Sequence, residues 1–92
     1  MTTSYAEKLR DLEERKVLPV TSEEAAFNRL LGYNIAAMRQ KKGWMQKQMA
    51  DLMGMTQSAW SRVETGGIRM NVYDLITCAK VLECKLTSLI PP

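Results

Sequence analysis

The sequence contains no histidine. The commonest general base and the commonest metal ligand are therefore missing. Cysteine is scarce. Cys78 and Cys84 stand six residues apart with no CxxC pair, which argues against a zinc site. Both occupy apolar positions of a C-terminal helical pattern and read as buried, reduced thiols. No apolar run approaches the roughly 18 residues of a membrane span. The start, MTTSYAEKLR, has no apolar stretch behind its charges, so no signal peptide is expected and the cytoplasm is the expected location. No nucleophile stands beside a base and no P-loop-like glycine run occurs. An enzyme is not expected, nor is a cofactor or a metal.

The chain has 92 residues, enough for one small domain. Charge is unevenly placed. Residues 1–27 carry four basic and six acidic groups, a net of −2. Residues 28–92 carry nine basic and four acidic groups, a net of +5. A basic C-terminal portion suits a polyanionic partner.

Two parts are expected, an N-terminal helical arm and connector at 1–20 and a domain at 21–92. In the arm, Tyr5, Leu9 and Leu12 follow helical spacing between charges, predicting a helix from Ser4 to about Lys16. That stripe is too narrow to hold a free helix in water, so it must dock somewhere. Pro19 biases Leu18 towards an extended conformation, making residues 17–20 a connector. Thr21 and Glu24 have capping-box spacing and open a helix that runs to about Lys42. Phe27, Leu31, Ile35 and Met38 form its apolar face, and Gly43 stops it. Helices are expected over Gln46–Met53, with Met49, Leu52 and Met53, and over Gln57–Glu64, with Trp60 and Val63. Another is expected over Val72–Leu82, with Leu75, Cys78, Ala79 and Leu82. A last turn falls near Leu86–Ile90. Nothing between 21 and 92 alternates with strand period. Of the seven methionines, Met38, Met49, Met53 and Met55 fit core positions, and Met70 reads as exposed.

Gly54 interrupts the apolar pattern of QMADLMGMTQSAWSRVE. A glycine inside a helix costs about 1 kcal/mol relative to alanine. Only Gly54, Met55 and Thr56 separate two helical stretches, and Thr56 is a good N-cap. Gly54 is expected in the left-handed conformation, ending one helix so that the next can project.

From Leu31 to Leu89 the chain resembles the Cro/C1-type (XRE-like) helix-turn-helix transcriptional regulators. The resemblance rests on Leu31-Gly32, Ile35, Met38-Arg39, Gly43, Gln46, Met49-Ala50, Gly54, Trp60-Ser61, Glu64 and Gly66. The later core pattern is Leu75, Cys78-Ala79, Leu82 and Leu89. The resemblance covers about two-thirds of the chain, and residues 1–27 lie outside it. The chain departs from the family pattern at three places. Met45 stands where Ser or Thr usually caps, Met70-Asn71 replaces Pro-Ser, and Glu83 replaces a glycine.

The resemblance implies an all-α, lambda-repressor-like five-helix DNA-binding domain, to which the apolar spacing before residue 20 adds an extra N-terminal helical arm. It implies a sequence-specific regulator, a dimeric repressor reading a palindromic double-stranded DNA operator with Gln57–Glu64 in the major groove. Gln57, Ser58, Ser61 and Arg62 would face bases, glutamine suiting adenine and arginine guanine. Gln46, Lys47, Thr65, Gly66, Arg69 and Asn71 would face phosphates, partly through backbone N–H groups of the 65–69 loop. Trp60 reads as core. Arg39 and Glu64 match the family's internal ion pair, which would set the angle of the recognition helix and direct Arg39 towards a phosphate. Tyr5, Leu9 and Leu12 are assigned to a homodimer contact; the competing accounts are that the arm folds back on its own domain, or that Leu86, Leu89 and Ile90 at the C-terminus form the dimer contact. The alternative function is an antitoxin-type module that masks a toxin, or holds another regulator, and also binds its own operator.

Overall fold

The computed structural model describes residues 20–92. Its elements are α1 (Ser22–Lys41), α2 (Gln46–Leu52), α3 (Gln57–Glu64), α4 (Val72–Val81) and a 3-10 turn (Leu86–Ser88). No strand occurs among the described residues. The architecture is all-α and lambda-repressor-like, with the expected fifth helix reduced to that single turn. The expected helix at 4–16, with Tyr5, Leu9 and Leu12, lies outside the described residues.

Helix starts follow local chemistry. The Thr21 hydroxyl accepts the Glu24 N–H at 3.0 Å, and the Thr56 hydroxyl accepts the Ala59 N–H at 3.1 Å. The Asn71 Oδ1 accepts the Asp74 N–H at 2.7 Å. These are N-cap bonds of the ordinary kind. The expected capping box at Thr21 is only half made. The Glu24 carboxylate turns instead to Arg69, with contacts of 2.6 and 2.7 Å.

All four helices end in the same motif. The residue after the C-cap is left-handed, and two N–H groups fold back onto the last carbonyls. At α2, Gly54 has φ +67°, its N–H reaches Asp51 at 3.2 Å, and Met55 reaches Ala50 at 2.8 Å. At α3, Gly66 has φ +84°, its N–H reaches Val63 at 3.1 Å, and Gly67 reaches Arg62 at 2.7 Å. Gly43 ends α1 likewise, at φ +74°. At α4 the position is held by Glu83, at φ +54°, with bonds to Lys80 at 3.1 Å and from Cys84 to Ala79 at 3.0 Å.

The core forms where these short helices meet. Ile35, Met49, Trp60, Cys78, Leu82 and Leu89 are fully buried, each large apolar side chain contributing about 1.5–3 kcal/mol. α2 and α3 have seven and eight residues and are too short to persist alone, so packing holds them. Met38, Met53, Met55 and Met70 are half-buried against this core. Met70 is thus less exposed than expected. Two further expectations are corrected. Phe27, expected on the apolar face of α1, and Leu52, expected in the apolar pattern of α2, are 39% and 54% exposed. Phe27 lies one turn before Leu31, where the core begins, and α2 buries Met49 and Ala50 instead. Cys78 is buried and Cys84 half-buried, and both are free thiols. Burial pushes the Cys78 thiol up to about 12, with the Cys84 and Glu64 charges adding to it.

Candidate nucleic-acid interface

Glu64, the last residue of α3, is buried and holds three helices together. Arg39 of α1 donates Nε to Oε2 at 2.7 Å and Nη2 to Oε1 at 3.0 Å. Trp60 donates its indole N–H to Oε2 at 2.6 Å. Gln46, the first residue of α2, donates Nε2 to Oε1 at 3.0 Å. Arg39 also donates Nη1 to the Trp44 carbonyl at 2.6 Å. Burial by itself would raise the Glu64 carboxyl. The hydrogen bonds from Arg39, Gln46 and Trp60, with the Arg39 charge, outweigh it and hold the group below its ordinary value.

This network fixes the back of α3. Trp60, Val63 and Glu64 point inward. Gln57, Ser58 and Arg62 are exposed and Ser61 is half-buried. The outward face therefore carries two forked hydrogen-bonding side chains and two hydroxyls. Arginine and glutamine are the residue types that bond base edges in pairs.

The flanking residues are arranged differently from expectation. The N–H groups of Thr65, Gly66 and Gly67 are occupied by the end of α3, bonding Ser61, Val63 and Arg62. The Thr65 hydroxyl donates to the Ser61 and Arg62 carbonyls at 3.1 and 3.3 Å. A left-handed loop closing a helix uses the same N–H groups that a phosphate would need, so this part of the loop does not offer them. Gly66 also lies against α1, where a Cβ would sit 2.8 Å from the Arg29 nitrogen. Arg69 is engaged with Glu24. The Gln46 amide serves Glu64, and the Arg39 guanidinium is buried among protein acceptors rather than aimed outward. Lys47 and Asn71 are exposed. At the start of α2, Met45 offers no side-chain cap, and its own N–H is accepted by the Gln48 Oε1 at 2.8 Å.

Sequence reasoning did not find the role of Gln46 in the network. The signal was available, since a buried carboxylate has more acceptor sites than one arginine fills.

A short helix-turn-helix pair, locked to its domain and presenting an exposed polar face, is the geometry of a DNA-binding head. The chain belongs to the helix-turn-helix domain family, whose model matches residues 5–87. The match reaches further towards the N-terminus than the motif register from Leu31 does. Among solved structures, the chain is similar to the restriction-modification controller protein C.AhdI from Aeromonas hydrophila. The two are 25% identical with a TM-score of 0.66, over 71% of this chain and 98% of that one. It is similar to NHTF, a hypothetical transcription factor from Neisseria, at 25% identity and a TM-score of 0.67, over 85% of this chain and 91% of that one. The DNA-binding domain of BldD shares the fold at 17% identity and a TM-score of 0.67, over 73% of this chain and 97% of that one. A comparison with curated protein sequences finds no match. The chain thus carries the fold of DNA-binding regulators of the Cro/C1 type. Among the described residues, no helix is long and apolar enough to cross a membrane. No group of three or more acidic or cysteine side chains among them is placed to hold a metal.

Proposed function

We propose that this protein is a sequence-specific transcriptional regulator, a cytoplasmic repressor that reads a palindromic operator as a homodimer with α3 in the major groove. One observation carries the reading. Gln57, Ser58 and Arg62 share the exposed face of a helix whose other face is fixed by the Glu64 network. A reading helix must be rigid if its side chains are to meet base edges in register. Arg62 and Gln57 are assigned to bases, with Ser58 and Ser61 beside them. Lys47 and Asn71 are assigned to phosphates. Thr65, Gly66, Arg69 and the Gln46 side chain are left out of that set, since each spends hydrogen-bond donors within the protein. The similarity to a restriction-modification controller and to a hypothetical transcription factor supports a regulatory role. A single small domain reads only a few base pairs, which favours two copies on half-sites about 34–36 Å apart.

Selection of bound duplexes from random DNA tests the reading directly. A palindromic motif is expected. Arg62→Ala should weaken binding to it by about 1–3 kcal/mol and relax preference at one base pair. Lys47→Ala should weaken binding to all sequences alike and flatten the salt dependence. An Arg62→Ala protein as tight and selective as the parent removes α3 from the major groove.

A further inference from the structure

A cavity of about 220 Å³ opens on the inner side of α3. Met53 and Met55, on either side of Gly54, line it together with Val63 of α3. Ile68 and Met70, from the segment that leads to α4, complete its apolar wall. The cavity thus touches the turn, the reading helix and the loop after it. Methionine side chains are flexible and polarisable, so such a wall adapts to a guest, and thioether sulfur makes favourable contacts with aromatic rings.

Two charged residues, Arg69 and Asp74, also line the cavity. Arg69 is held by Glu24 through contacts of 2.6 and 2.7 Å, which balances its charge. Asp74 is half-buried. Its backbone N–H is bonded to the Asn71 cap, but among the described residues its carboxylate has no hydrogen-bond or ion-pair partner. One carboxylate is therefore left over beside an apolar wall. A neutral apolar guest would strip water from it and give nothing back, and an anion would be repelled. The complement is a cation carried on an apolar body. Pockets for drug-sized ligands run to about 300–1,000 Å³, so this smaller one suits a single ring on a short chain.

We propose that this cavity is a binding site for a small arylalkyl ammonium ion, with the ammonium on Asp74 and the ring among Met53, Met55 and Met70. A guest there bears on the Gly54 turn and on Val63, and so on the angle at which α3 is held. Its effect on DNA rests on the proposed reading of α3, whereas its binding does not.

Titration of the full-length chain without DNA keeps the two questions apart. The chain is labelled with methyl-13C methionine and titrated with 2-phenylethylammonium, or with 2-phenylethanol, which has nearly the same shape and no charge. The Met53, Met55 and Met70 methyl resonances should shift together and saturate. That of Met45, at the other end of α2, should stay in place. The ammonium ion should bind about five-fold more tightly than the alcohol, as expected of a charge-assisted contact. Asp74→Asn should remove that difference while leaving the methyl spectrum of the free protein folded, since the side chain has no partner to lose. Absence of saturation at millimolar probe, equal affinity for the two probes, or a preference that survives in Asp74→Asn overturns the proposal.

Discussion

Gly32 of α1 meets the main chain of Glu64 so closely that a Cβ on it would lie 2.4 Å from the Glu64 carbonyl oxygen and 2.6 Å from that of Val63. Both neighbours are backbone atoms, which cannot swing aside as a side chain can. The contact brings Arg39, two turns further along α1, within 2.7 Å of the Glu64 carboxylate. Gly32→Ala should therefore separate the two helices and strain the Glu64 network. A loss of about 3 kcal/mol is expected, at the upper end for an overpacked core. Urea denaturation checks it, and an unchanged midpoint would mean that the helices do not approach this closely.

Gly54 makes a contrasting case. No atom lies within 4 Å of where its Cβ would be, so space is not the constraint. The constraint is φ of +67°. Gly54→Val should cost about 2 kcal/mol, because a β-branched residue resists positive φ. Gly54→Asn should cost much less, since asparagine tolerates that region. Denaturation midpoints should rank Gly, Asn, Val in falling order.

Glu83 occupies the corresponding position after α4 at φ +54° and bears the strain that glycine would relieve. Its ion pair with Lys42, at 3.2 Å, is largely exposed on the Glu83 side and is worth little. Glu83→Gly should raise stability by about 1 kcal/mol. Thermal unfolding at neutral pH measures it, with Lys42→Ala as the control for the lost pair. A lower melting temperature would show that the ion pair outweighs the backbone strain.

Glu64 should make stability depend on acid. Its carboxyl is held below the ordinary value of 4.5, so the folded state favours the charged form. The stabilisation is complete above about pH 4.5 and is lost as pH falls through the lower folded value. Glu64→Gln leaves Arg39 buried without a counter-charge and should cost about 3 kcal/mol or more at pH 7. The gap between parent and variant should narrow as pH is lowered below about 4.5. A gap independent of pH would mean that the carboxylate charge is not what holds the helices.

The sequence by itself determined the punctuation of this fold. Thr21, Thr56 and Asn71 cap helices, and Gly43, Gly54 and Gly66 are left-handed after them, because these residues act on backbone within one turn of themselves. The limits of α3, Gln57 and Glu64, and the inward position of Trp60 follow from the same local rules with helical periodicity. Tertiary structure alone decided the partners across the chain. It placed Gln46 on Glu64, turned Glu24 from its expected cap to Arg69, and left Phe27 outside the core. Each of these depends on where one helix lies against another, and that is set by the summed packing of the core. A polar side chain bonds whichever donor or acceptor that packing brings within 3 Å, and no pattern confined to its own segment encodes the choice.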